Sequence, residues 1–382
     1  MIPYGRQDIS EDDVQAVVEV LRSDYLTQGP KVPVFEKAIA ARTNAGYGVA
    51  VNSATSALHL ACLALELGAG DFLWTSPITF VASANCALYC GAKIDFVDID
   101  SETFNICPEK LEAKLKAAEL TGRLPKVIVA VHMAGQSADM KRIKNLSDMY
   151  GVHIIEDASH SIGAEYRDAP VGNCAFSDIT VFSFHPVKII TTAEGGIALT
   201  NDKQIFARME QLRSHGITRD ANLMTNEPDG PWYYQQIRLG WNYRMTEMQA
   251  ALGLSQMTRL DSFIARRSQL ADAYDTALAE LPVKCPGRLR DAKSSWHLYV
   301  IRLNDALRHR VVFEELRAAG IGVNLHYIPV HLQPFYRELG FSTGDFPTSE
   351  DYYSRAISIP IHPGLKDSEQ DYIVSALSKA VA

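Results

Sequence analysis

The stretch SDITVFSFHPVKIITTAEGG, residues 177–196, passes from a β-branched and aromatic run through a lone lysine, Lys188, to paired glycines. Its apolar half reads as a strand buried on both faces, and Gly195–Gly196 lead into a second apolar run, GGIALT. The same rhythm precedes it: YGVAV, DFLWT, AKIDFVDI, KVIVAVH and VHIIEDA are short apolar runs with helical patterns between several of them. SATSALHLACLALEL places Leu58, Cys62 and Leu65 on one helix face. SADMKRIKNLSDMYG reads as a helix with Ser137 as N-cap and Gly151 as its stop. Buried strands separated by helices predict an α/β domain with a mostly parallel sheet, whose ligands bind at the carboxyl ends of the strands.

Beyond this sheet the pattern changes. TRDANLMTNEPDGPWYYQQIRLGWNYRMT is rich in Asp, Asn, Gly and Pro without lasting periodicity and reads as a long functional loop. EMQAALGLSQMTRLDSFIARRSQLADAYDTALAEL then reads as strongly helical. The strands WHLYVIRL, IGVNLHYIPV and ISIPI mix with the helices RHRVVFEELRAAG and DSEQDYIVSALSKAVA, as in a small α+β domain. We therefore expect a large domain over 1–255 and a smaller C-terminal one over 256–382.

The 382 residues are 47% hydrophobic and 21% charged, with a formal net charge of −8 and no long basic block. That balance argues against a nucleic-acid or anionic-membrane partner. No apolar run reaches 18 residues and no leader pattern opens the chain, so a cytoplasmic globular protein is expected. Cysteines 62, 86, 90, 107, 174 and 285 form no Cys-x-x-Cys pair and read as reduced core thiols, and no metal site emerges.

Asp157 closes the run VHIIEDA, and Lys188 follows the next strand. Alone, each has an ordinary reading, the acid as a turn cap and the lysine as a snorkelling surface residue. Together at strand ends they form a candidate site. A partly desolvated amine attacks aldehydes, and pyridoxal phosphate is the aldehyde that also needs an acid beside its ring nitrogen. Its phosphate needs donors, which the amides near Ala54, Thr55 and Ser56 at a helix start and the Ser183 hydroxyl could supply. Phe80 could lie against the ring, or be a core residue. His59, His153, His215 and His297 read as satisfied by ordinary hydrogen bonds.

The segments NSATSALHLA, SPITFVASAN, IIEDASHSIGA, FSFHPVKIITTAEGG, RSHG, GWNYRMTEMQAALGLSQM and HYIPVHLQP, in this order, resemble the DegT-type sugar aminotransferases. The likeness runs from YGRQDIS to ISIPIHP. It implies the aspartate aminotransferase-like fold type I and the cofactor pyridoxal 5′-phosphate. It further implies Lys188 as the Schiff-base lysine, Asp157 as the ring-nitrogen partner and His160 near the ring hydroxyl. Ala54, Thr55 and Ser183 fall on phosphate-binding positions, Phe80 on the stacking one, and Asn242 on an asparagine that reaches the phosphate of the neighbouring subunit in a homodimer. Relatives without the lysine carry histidine and dehydrate, so Lys188 favours transamination.

SDYLTQGPKVPVFEKAIA, SFHPVKIITTAEGG and NLHYIPVHLQPFY look most like the subgroup that makes UDP-4-amino-4,6-dideoxy-N-acetyl-β-L-altrosamine for pseudaminic acid. That likeness implies L-glutamate and a UDP-4-keto-6-deoxy sugar as substrates. It puts Tyr4, Asp24, Tyr25, Leu26, Thr27, His326, Tyr327, Ile328 and Pro329 around the nucleotide sugar. Bacillosamine- and perosamine-type acceptors stay open, as does a non-catalytic regulatory member of the family. The chain departs from many relatives at HPVKII.

Overall fold

The seven apolar runs become one sheet in the computed structural model, which describes residues 1–382. After a two-residue strand β1 (Ile2–Pro3) and helix α1 (Glu11–Leu21) come the strands β2 (Tyr47–Val51), β3 (Phe72–Thr75), β4 (Lys93–Phe96), β5 (Val127–Val131), β6 (His153–Asp157), β7 (Ile179–Ser183) and β8 (Gly196–Thr200). Their order is β2-β8-β7-β6-β5-β3-β4. All neighbours are parallel except β8, which runs antiparallel to both β2 and β7. Lys188 therefore lies in the loop of an antiparallel pair, five positions beyond Ser183, rather than at a strand end.

Helices cover both faces because alternate strand residues point to opposite sides. Ile128 and Ala130 of β5 join one core with α2 (Lys31–Thr43), α5 (Pro108–Thr121) and α6 (Met140–Tyr150). Val127, Val129 and Val131 join the other with α3 (Ala54–Ala64), α4 (Ala82–Tyr89) and α7 (Lys203–Arg213). Helix α6 ends at Gly151 as expected but begins at Met140. Asp139 caps it, because the Ser137 hydroxyl is buried and donates to the Ala138 carbonyl at 2.8 Å.

The expected long helix after residue 246 is two, α8 (Glu247–Met257) and α9 (Leu260–Ala277). The break falls at Thr258–Arg259, where the Arg259 guanidinium reaches Asp8 and Asp13 at 2.5 Å each. The C-terminal part holds β9 (Val283–Lys284), β10 (Tyr299–Leu303), α10 (His309–Ala318), β11 (Ile321–Gly322), α11 (Pro334–Glu338), α12 (Pro347–Arg355), β12 (Ala356–Ile359) and α13 (Asp367–Val381). Of IGVNLHYIPV only β11 is strand. It pairs in parallel with β1, so the chain's first residues lie against the C-terminal part. The antiparallel sheet β9-β10-β12 carries the C-terminal core. The two cores divide inside α9: Leu260 and Phe263 pack with the large sheet, Leu270 and Tyr274 with the C-terminal cluster. No helix is long and apolar enough to cross a membrane.

Candidate active site

The carboxyl ends of β6 and β7, the start of α3 and the loop after β11 enclose a cavity of 890 Å³. Its walls bring together Tyr4, Ala54, Thr55, Phe80, Asp157, His160, Ser183, Lys188, His326 and Tyr327, all named from sequence. Asp24, Tyr25, Leu26, Thr27, Ile328, Pro329 and Asn242 do not line it. Leu26 and Thr27 lie beside the start of α8, where the Leu26 carbonyl accepts from Glu247 N at 3.0 Å and Thr27 bridges to Thr246. Asn242 is exposed and its backbone bridges to Ser214.

The α3 terminus opens its backbone amides onto the cavity. Ser53 caps it by accepting from Ser56 N at 3.1 Å, which leaves the amides of Ala54 and Thr55 without intrahelical partners. Gly196 lies in register between Ser183 and Val51, and a Cβ there would stand 2.5 Å from Ala54 N. Only glycine lets β8 pass that close to the turn. Ser183, buried, completes this wall.

Asp157, also buried, closes β6. Its Oδ1 accepts from Ser159 N at 3.1 Å and its Oδ2 from Ser83 Oγ at 2.6 Å, while Thr79 and Ser83 share a hydroxyl contact of 2.7 Å. A carboxylate only accepts, so Ser83 donates to it and Thr79 donates to Ser83. Phe80 is 59% exposed, which rules out a core residue and leaves its ring on the cavity wall, 6.2 Å from the ring of Tyr327.

Lys188 is half-buried on the cavity wall, and this desolvation pulls its amine from 10.5 down to about 8, although the charge of Asp157 pushes the other way. Three imidazoles share its neighbourhood. Burial first and the Lys188 charge second hold His160 well below the ordinary range and bring His326 down to about 3. His297 is held well below its ordinary value by burial, then by His160 and Lys188. All three are neutral near pH 7.

His297 was missed by sequence reasoning. Its ring lies 4.4 Å from that of His160, and its Nδ1 has no protein partner. Buried Arg267 of α9 fixes its backbone, donating to the carbonyls of Trp296 at 3.0 Å, His297 at 3.2 Å and Ile361 at 2.9 Å. Asn52, Ser53, Thr79, Glu194, Gln249 and Asn324 also reach the cavity. Of these only Asn52 and Ser53, next to Ala54, lay within the motif that sequence reasoning tied to an anion.

An open helix terminus, a hydroxyl, a carboxylate, an exposed aromatic face and an amine near pH 8 form a donor set that fits pyridoxal phosphate. The family model described as the DegT/DnrJ/EryC1/StrS aminotransferase family matches residues 7–378. UDP-4-amino-4,6-dideoxy-N-acetyl-beta-L-altrosamine transaminase of Campylobacter jejuni is 38% identical, over 99% of this chain and 98% of that protein. Helicobacter pylori PseC, described as an aminotransferase involved in the biosynthesis of pseudoaminic acid, superposes with a TM-score of 0.90 at 32% identity, over 100% of this chain and 99% of that one. Streptococcus pneumoniae Spr1654, a candidate sugar aminotransferase, superposes in its PMP form with a TM-score of 0.91 at 31% identity, over 100% of this chain and 99% of that one. It was also solved in a PLP form. The chain belongs to the DegT/DnrJ/EryC1/StrS aminotransferase family.

Proposed function

We propose that this family member is a pyridoxal-phosphate-dependent transaminase that moves an amino group from L-glutamate to the C4 keto group of a UDP-linked 4-keto-6-deoxy-N-acetylhexosamine. Its product is then UDP-4-amino-4,6-dideoxy-N-acetyl-β-L-altrosamine, a precursor of pseudaminic acid and of flagellin glycosylation. The observation that carries the transaminase reading is the shared cavity of Lys188, Asp157 and the open α3 terminus. The acceptor rests on the 38% identity to the Campylobacter enzyme and on the likeness to PseC.

When bound, the cofactor supplies an electron sink for the bond-breaking at carbon. The amides of Ala54 and Thr55 and the Ser183 hydroxyl would hold its phosphate, Asp157 would pair with its ring nitrogen, and Phe80 would offer an aromatic face to its ring. Lys188 Nζ, with a pKa near 8, is poised to take the proton from glutamate Cα and to return one to sugar C4. Delivery from one side sets the stereochemistry. Tyr4, His326 and Tyr327 face the sugar. Asn242 and the Asp24–Thr27 segment, which lie outside this chain's own cavity, serve the site of a second subunit in a homodimer. Six free cysteines suit a reducing cytoplasm.

The deciding experiment incubates the enzyme with glutamate and a panel of UDP- and GDP-linked 4-keto-6-deoxy sugars and identifies the aminated product by NMR. Amination of the UDP-linked L-altro precursor supports the reading. A bacillosamine- or perosamine-type product would replace the acceptor, and no transfer to any of them would overturn the assignment.

A further inference from the structure

The hydrogen bonds of His160 have a fixed direction. Its Nδ1 lies 3.3 Å from Ala134 N and its Nε2 lies 3.1 Å from the Tyr327 hydroxyl. We propose that the Ala134 amide locks His160 in the Nε2–H tautomer and thereby makes Tyr327 a hydrogen-bond donor to a proton-free oxygen of the ligand in the cavity. This rests on the transaminase reading for the ligand's identity, but not for the tautomer.

A backbone amide can only donate, so Nδ1 must present its lone pair. A neutral imidazole then carries its single proton on Nε2 and donates it to the Tyr327 oxygen. That oxygen is thus an acceptor toward His160, and its own proton has no other protein partner. Tyr327 lines the cavity between Phe80 and His160, so the free proton serves a ligand there. Two such oxygens fit the proposed chemistry, the keto oxygen of the sugar and the ring phenolate of the cofactor.

The aim of the Ala134 amide is built into the fold. Ala134 has φ 61° and ψ 2°, a left-handed conformation that is strained for a non-glycine residue. The turn is held from the C-terminal part: Leu298 N donates to the Ala134 carbonyl at 3.2 Å and Ser295 N to the Gly135 carbonyl at 3.1 Å. The Ser295 hydroxyl donates to the His160 carbonyl at 2.9 Å, so one residue ties both ends of the contact. Asn105 Oδ1 accepts from Met133 N at 2.8 Å on the other side.

The tautomer is read by long-range proton–nitrogen NMR on protein labelled with ¹⁵N-histidine, cofactor-free and cofactor-loaded. The His160 signal is assigned by its loss in His160→Gln. A protonated Nε2 and bare Nδ1 at neutral pH are expected, whereas an Nδ1–H tautomer or an imidazolium overturns the proposal. Tyr327→Phe, which keeps the ring, then locates the acceptor. Donation to the phenolate shifts the visible band of the loaded protein before sugar is added. Donation to the keto oxygen leaves that band in place and raises KM for the nucleotide sugar about tenfold. A variant that changes neither refutes the donor role. Because the tautomer is measured without turnover, a failed amination assay leaves this result standing.

Discussion

Lys188 Nζ reacts only as a free amine. With its pKa lowered from 10.5 to about 8, the unprotonated fraction near pH 7 is roughly 300-fold larger than for an ordinary lysine. The apoprotein should therefore capture pyridoxal phosphate faster as pH rises, tenfold per unit below pH 8, then level off. Stopped-flow absorbance checks this, and a rate still climbing at pH 10 would refute the lowered value. Lys188→Ala should lose the visible band and at least about a thousandfold in turnover, read by spectrum and product assay. Ser83→Ala removes the hydroxyl that orients Asp157 Oδ2, so cofactor affinity should fall about tenfold by titration and recover in Ser83→Thr. Lys188 and Asp157 were legible in the sequence because the acid closes, and the lysine follows, a strand that declares itself. Ser83 and His297 were not, since serine on a helix and histidine near a strand have ordinary roles. Only the approach of Asp157 and His160, respectively, distinguishes them.

Two of the helices that begin without a capping side chain of their own borrow one from far away in the chain. Pro30 before α2 and Phe346 before α12 offer no capping side chain. Glu247 supplies the first, accepting from Lys31 N at 2.6 Å and Val32 N at 3.2 Å. Asp98 supplies the second, accepting from Thr348 N at 3.0 Å, Ser349 N at 2.9 Å and the Ser349 hydroxyl at 2.6 Å, with Lys110 beside it at 3.0 Å. Each satisfies open amides at a helix N-terminus, where a carboxylate is favoured. Glu247→Ala and Asp98→Ala should each cost about 1–3 kcal/mol, measured as a shifted denaturant midpoint at constant slope. Asp148→Ala, which breaks the exposed Lys144 pair, should cost under about 0.5 kcal/mol. Equal effects for all three would show that these caps contribute nothing special. The strands and most helices were legible because their signals are local: apolar runs, apolar periodicity, a stop glycine such as Gly151. The caps of α2 and α12 were not, because acceptor and amides are more than 200 residues apart in sequence.

At the scale of the molecule, the proposed dimer has a sharp consequence. Lys188→Ala and Asn242→Ala chains, each inactive alone, should complement after mixing and refolding. A mixed dimer keeps one intact site, so random pairing restores about a quarter of wild-type activity. No recovery, with mixed dimers present by native mass spectrometry, would place Asn242 outside the partner's site. The local patterns by themselves determined the seven strands, the mostly parallel sheet, the strand-end acid and the lysine beyond the next strand, because short-range periodicity and strand-end position need no tertiary partner. Only the tertiary structure decided that β8 turns back antiparallel, so that Lys188 sits on a hairpin and Gly196 packs against the α3 terminus. It alone divided the cores inside α9 and set β1 against β11. It also brought His297, through Arg267, to His160. Each of these depends on contacts between residues far apart in the chain, formed when buried surfaces and unpaired polar groups find one another, and no local pattern encodes them.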